Sequence, residues 1–285
     1  MKPRPGTAIA LLLAAAGAHA EVTVPIALEK GIPVATLRIG GTPLPFTFDI
    51  GSGRALHLTQ EVMAKIPGLK LTGRKVKSSD LSGMIREEDE FTIPDLVIDG
   101  VSFGAVTGVA YVPWGLNIGE GAAPPPHSVI GLALFEKQPF VYDQVNLKLR
   151  FGAPLMTGAG WQPMSHERVQ EGIAMKMANA RASYRLVFDS AANLSIVKPQ
   201  PVHAQRDETT KCDLFGPARP CDYVTLTLPD APSGPGGKPA AIKSYLMPLP
   251  DRFNADGLLG ADFFQAYAVY VDLAHRMVAL RAAGR

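Results

Sequence analysis

Phe46-Thr47-Phe48-Asp49-Ile50-Gly51-Ser52-Gly53 and Leu186-Val187-Phe188-Asp189-Ser190-Ala191-Ala192 are two apolar runs that each end on an aspartate. Each is followed downstream by a matching segment: Ser128-Val129-Ile130-Gly131 through Phe151 after the first, and Gly257-Leu258-Leu259-Gly260 through Leu280 after the second. A gapless shift of 129 residues sets Gly131 on Gly260 and carries Phe135 onto Phe264 and Asp143 onto Asp272. Motifs repeated in one order mean two copies of a single structural unit.

Between these motifs the chain reads as all-β. Short apolar or β-branched runs, Val22 to Leu28, Pro33 to Ile39, Pro45 to Asp49, Thr92 to Ile98 and Ala105 to Val112, are punctuated by Gly and Pro. Thr42-Pro43 after Gly40-Gly41, and Asp99-Gly100, read as turns. Helical signals are few: Glu61 to Lys65, Ser165 to Ala180, and the segments after Gly131 and Gly260. In the second of these, Val169, Ile173, Met177 and Ala180 stand at near-helical spacing, so 153–183 is expected to link two lobes through a short amphipathic helix. The lobes are then 21–152 and 184–285. Gly121 to Pro126 and Pro232 to Pro239 read as plain loops.

These residues resemble the pepsin and retropepsin group of aspartic peptidases. That family places Asp-Thr/Ser-Gly at a strand end in each lobe and threads a hydrophobic-hydrophobic-Gly segment beside it; here the counterparts are DIGS with VIGLALF, and DSAA with LLGADFF. Phe140-Val141-Tyr142-Asp143 and Val269-Tyr270-Val271-Asp272 resemble the strand and Asp-led turn that close each lobe. The resemblance implies a two-lobed, duplicated acid-protease fold with a few short helices and a catalytic pair, Asp49 and Asp189. Gly51, Ser52, Ser190 and Ala191 would support the active loops, with Asp262 as a further contributor to the second. A flap is implied over Lys75 to Glu90, with Leu81, Ser82 and Gly83 at its centre. Asp143 and Asp272 read as turn residues.

Two departures from the family's pattern bear on activity. Ile50 lacks the hydroxyl that the family's Thr or Ser sends into a lattice between the loops, whereas Ser190 keeps one. Ala191 adds a methyl where the family has a Cβ-free glycine, a freedom that Gly51 retains. The family's flap tyrosine has no counterpart either, since no Tyr or Trp precedes Tyr111.

Two adjacent carboxylates in a partly desolvated site cannot both ionise cheaply, so they share one proton and titrate as a pair. The reaction implied is direct attack by a water held between them, with no metal, cofactor or acyl-enzyme. The cleft would take an extended peptide or protein segment as an added strand. The rival expectation is a peptidase-fold protein that only binds such a segment. Other chemistries lack their motifs: Gly51-Ser52-Gly53 has the wrong spacing for a nucleophile elbow, and the six histidines form no H-E-x-x-H. His57 reads as a strand-surface or core histidine.

Lys2 and Arg4, the apolar run Ala8 to Ala16 and Ala18-His19-Ala20 read as a signal peptide over 1–20, so the chain is expected to be exported, to a bacterial periplasm or beyond. No later run is long enough to suggest a spanning helix. Of 28 basic and 26 acidic residues, two basic ones lie in that leader, and the balance left carries no basic stripe for nucleic acid or anionic membrane. A monomer is expected. In an exported chain the two cysteines, Cys212 and Cys221, are expected to close a local disulfide, with two free thiols as the alternative.

Overall fold

The computed structural model describes residues 21–81, 83–113, 127–152, 159–199, 204–212, 219–234 and 237–283. The expected signal peptide, Ser82 and the Gly121 to Pro126 loop lie outside them.

The first half builds β1 (Val22–Glu29), β2 (Ile32–Ile39), β3 (Thr42–Asp49), β4 (Leu56–Leu58) and α1 (Gln60–Met63). Next come β5 (Lys70–Ser79), β6 (Ile85–Ile98), β7 (Val101–Ala110), β8 (Ser128–Gly131), a 3-10 turn at Leu132–Phe135, β9 (Phe140–Asp143) and β10 (Lys148–Phe151). The second half builds β11 (Gln162–Pro163), β12 (Glu167–Val169), β13 (Gly172–Ala178), β14 (Ser183–Phe188), β15 (Ser195–Val197) and β16 (Gln205–Cys212). It ends with β17 (Arg219–Thr227), β18 (Ala241–Leu246), β19 (Gly257–Leu259), α2 (Ala261–Ala266), β20 (Tyr267–Asp272) and β21 (Met277–Ala282).

The duplication read from the sequence extends to every strand but β11. One sheet contains the order β1-β2-β3-β8-β4-β7-β6-β5, and the other is β12-β13-β14-β19-β15-β18-β17-β16, the same arrangement with each label advanced by eleven. In both copies the strand that leads to the aspartate pairs in parallel with the one that leads to the glycine: Asp49 stands opposite Gly131, and Phe188, just before Asp189, opposite Leu259, just before Gly260. The closing pairs, β9–β10 and β20–β21, then lie side by side through Tyr142↔Val269 and Phe140↔Val271. Thus the two copies share one continuous ladder. Asp143 and Asp272 hold its turns, accepting from the N–H groups of Asn146 at 3.1 Å and His275 at 3.0 Å.

Aromatic packing fixes each Asp strand from behind. Phe48 lies among Phe135, Phe140 and Tyr142, and Phe188 lies against Phe263 and Phe264; Tyr142 meets Phe264 edge-on at 5.1 Å, so the core is continuous between the halves. Such ring pairs add about 0.5–1.5 kcal/mol each beyond their buried area.

The helix expected over Ser165 to Ala180 is instead the β12–β13 hairpin, with Arg168 opposite Ile173. A spacing of four satisfies a strand's period of two as well as a helix turn, so Ile173 and Met177, both on β13, fit either, while Val169 falls on β12 across the turn. Burial decides: β13 pairs with β12, β14 and β17, and most of it is covered on both faces. The second copy therefore begins at β12, the counterpart of β1, inside the stretch expected to be linker. Gly40-Gly41 and Asp99-Gly100 do turn through positive φ, while Thr42 and Pro43 already belong to β3. Lys30-Gly31 makes a third such turn that the sequence reading did not single out. Among the described residues no helix is long and apolar enough to cross a membrane.

Candidate active site

Asp49 ends β3 and Asp189 directly follows β14, and each enters a tight loop whose backbone folds back onto the carboxyl. Gly51 and Ser52 donate their N–H groups to Asp49 Oδ1 at 2.9 and 3.1 Å. Ala191 does the same for Asp189 Oδ1 at 3.0 Å. The loops are braced alike from below, Leu132 N–H on the Ser52 carbonyl and Ala261 N–H on the Ala192 carbonyl, both 2.9 Å. Behind the second loop, Asp262 accepts from the Ser195 hydroxyl at 2.6 Å, and Ser195 Oγ accepts the Gly260 N–H at 2.9 Å. Asp262 thus supports that loop through Ser195.

The two loops meet. A Cβ on Gly51 would stand 2.7 Å from Asp189 Cγ, so glycine is what allows the carboxyls to come together. They share a hydrogen bond, and burial is the largest cause holding both above the ordinary carboxylate range; the Asp189 charge adds to the shift of Asp49, and the loop N–H groups oppose it in both. The shared proton belongs to the pair rather than to either residue.

Half of the expected lattice between the loops is present. The buried Ser190 hydroxyl donates to the Phe48 carbonyl at 2.7 Å and accepts the Ile50 N–H at 3.1 Å. In the mirror position Ile50 supplies a fully buried aliphatic side chain. The Ala191 methyl faces the cleft.

Above the pair lies a cleft of about 650 Å³, roofed by the β5–β6 hairpin through Lys77, Ser78, Ser79, Leu81 and Ile85. This hairpin occupies the place expected for a flap. Its tip reaches the other half, where the Arg252 guanidinium donates to the Gly83 carbonyl and Leu81 packs with the cluster around Met247. Tyr111 lines the cleft from beyond β7.

Sequence reasoning missed one cluster here. His57 is buried on β4 yet lines the cleft, its Nε2 lies 2.9 Å from Ser52 Oγ, and its Nδ1 is 3.4 Å from Glu88 Oε1 on β6. Glu88 is 31 residues from His57 in sequence, and nothing in the spacing signals that the sheet brings them together.

Comparison with known proteins places the fold. No family model and no curated protein sequence matches the chain. Among solved structures, basic 7S globulin from soybean superposes with a TM-score of 0.58 at 11% identity, over 93% of this chain and 95% of that one. The aspartic proteinase from Irpex lacteus does so with a TM-score of 0.58 at 13% identity, over 93% and 98%. The protein has the two-lobed, pepsin-like all-β fold. At such identities the likeness speaks for fold alone, and one neighbour is named a proteinase while the other is named a globulin.

Proposed function

We propose that the protein is an aspartic endopeptidase, hydrolysing peptide bonds with a water activated between Asp49 and Asp189. The observation that carries this reading is the meeting of two carboxyls from symmetric loops, with Gly51 against Asp189, on the floor of a roofed cleft. With one proton between them, the ionised member takes a proton from water while the protonated member polarises the substrate carbonyl. No acyl-enzyme forms. The substrate is an extended segment of peptide or protein lying beneath β5–β6, where the half-buried Leu81 and the exposed Ile85 offer apolar contact. The protein acts as an exported monomer, in a bacterial periplasm or outside the cell.

The test is digestion of a diverse peptide library from about pH 3 to pH 7, the span over which a coupled carboxylate pair titrates. Cleavage with a bell-shaped pH profile is expected. Its alkaline limb should lie above the ordinary carboxylate range, because burial raises both groups. Absence of cleavage at every pH rejects the reading.

A second reading, a protein that holds a peptide in the cleft without cutting it, is favoured by Ile50 and Ala191. Ile50→Thr with Ala191→Gly separates the two. A rise in hydrolysis is expected for an enzyme whose loop lattice is incomplete. No hydrolysis in either form, with peptide retained in the cleft, supports the binder.

The Cys212–Cys221 disulfide is part of the same proposal. Cys221 is buried on β17 opposite Asp207 of β16, and beyond a bulge the same ladder continues to Cys212 opposite Arg219. The Cys212 side chain lies outside the described residues. Thiol counting on the unfolded, unreduced protein should find none, and reduction should cost roughly 2–3 kcal/mol for so short a loop; two titratable thiols before reduction would rule the bond out.

A further inference from the structure

The two copies offer an internal comparison at the active loops. Sheet register matches Ser52 with Ala192, His57 with Ile196 and Glu88 with Cys221: His57 stands opposite Val129 as Ile196 does opposite Leu258, and Glu90 opposite Val109 as Tyr223 does opposite Tyr245. In the second copy these positions are filled by a methyl, an aliphatic chain and a cysteine. The first copy puts a hydroxyl, an imidazole and a carboxylate at the same places, and buries the last two, His57 at 4% and Glu88 at 1% exposure. Burying a carboxylate is costly unless a partner holds it. The fold does not require that cost, since the second copy meets the same packing with apolar groups.

We propose that His57 and Glu88 are positioning residues of the dyad, joining the flap strand to the loop that holds Asp49. This rests on the peptidase reading and extends it. Glu88 lies on β6 with its Oε1 3.4 Å from His57 Nδ1, within ion-pair reach, while His57 Nε2 faces Ser52 Oγ at 2.9 Å. Ser52 in turn gives its own N–H to Asp49 Oδ1. A displacement of β6 on peptide entry therefore reaches Asp49 through Glu88, His57 and Ser52, whereas the second copy has Cys221, Ile196 and Ala192 at those places. The charged and titratable groups around the chain are Asp49, Asp189 and Arg54 on the active-loop side, Glu90 and Arg86 on β6, and Tyr111.

Ser52, His57 and Glu88 also have the order of a nucleophilic triad, but the geometry supports positioning. The Arg54 backbone N–H, 3.4 Å from Ser52 Oγ, donates to the hydroxyl oxygen itself and not to the place where an oxyanion would form.

The test uses His57→Phe, Glu88→Gln, the double variant and His57→Gln in the mature chain, with Ile196→Val as the second-copy control. Each of the first two should lower kcat on the order of 10- to 100-fold, the cost of a slightly misplaced reacting group, with KM within about twofold. The double variant should lose no more than either single one, because the residues act as a unit. His57→Gln, which retains a polar side chain toward Ser52, should recover part of kcat. Carbon-13 NMR of the aspartate carboxyls provides a readout independent of turnover: the dyad's titration should move in His57→Phe and Glu88→Gln and stay fixed in Ile196→Val. Should the wild type cleave no peptide, the peptidase reading fails and this titration still decides the inference. Unchanged kcat, or an unmoved dyad titration, in folded variants overturns it. Labelling of Ser52 by a fluorophosphonate also overturns it, by making that serine a nucleophile. If His57→Phe does not fold, Glu88→Gln and His57→Gln carry the decision.

Discussion

On the proposed peptidase reading, Asp49→Asn and Asp189→Asn are each expected to lower kcat by roughly 10²- to 10⁴-fold, and the double variant no further, because the two carboxyls would act as one acid–base unit. Either substitution leaves a pair that cannot both accept a proton from water and donate one to the carbonyl. The same variants should be more heat-stable than the wild type at neutral pH. Both aspartates are raised above the ordinary value of 3.8, with burial as the chief cause. Below that value the carboxyls are protonated in folded and unfolded chains alike, and the pair contributes no difference. As pH rises, the unfolded chain releases its protons first, so folded stability falls until the folded pair has ionised too. Asn has nothing to ionise, and its amide oxygen can still accept the Gly51 and Ser52 N–H groups, or that of Ala191. Thermal melts at about pH 3 and pH 7 check the sign, since the window opens near the unfolded carboxyl value. Coincident melting at the lower pH and a higher Tm for the Asn variants at the upper is expected. A wild type that outlasts both at pH 7 would mean that burial does not disfavour the ionised pair in the folded chain.

The second large effect is structural. Gly131→Ala would set a methyl 2.1 Å from the Arg54 carbonyl and 2.8 Å from that of Ser52; Gly260→Ala would set one 2.4 Å from the Leu194 carbonyl. These neighbours are backbone. Gly131 ends β8, which is clamped between β3 and β4, so no side chain can rotate out of the way. Each substitution is expected to cost more than about 4 kcal/mol, in the range reserved for severe core disruption, and to leave little folded protein. Gly53→Ala is the control: its nearest neighbour, the Gln170 carbonyl, lies at 3.8 Å, an ordinary contact, and its stability should change by less than about 0.5 kcal/mol. Chemical denaturation of the three variants measures the contrast. Equal midpoints for Gly131→Ala and Gly53→Ala would contradict the close threading of β8 and β19 beside the active loops.

Much of this was legible because the chain states it twice. The Asp-ended runs, the glycines beside them and the Asp-led closing turns each recur in order, and their register in the sheets follows that order. Ser165 to Ala180 was misread because a four-residue apolar spacing is common to helix and strand, and only the neighbours β14 and β17 select between them. The Ser52–His57–Glu88 chain was illegible for another reason. It depends on β6 lying beside β7 and β7 beside β4, a sheet order that composition does not encode. The residue types were visible, but their meeting was not. His57 was read as core or strand surface, and its burial agrees; what that reading lacked was the carboxylate behind it and the hydroxyl in front.

The β9–β20 ladder makes each half of the molecule a poor candidate for life on its own. A fragment stopping after Gly152 would leave the outer edge of β9 bare along Phe140 to Tyr142, a template for any incoming strand. It would also hold only Asp49 of the facing pair. Because β9 and β20 are counterparts in the repeat, two copies of that fragment would offer each other the same edge, and self-association through it would bring two Asp49 loops face to face. The intact chain is, in this sense, a homodimer whose partners have been tethered and then allowed to diverge.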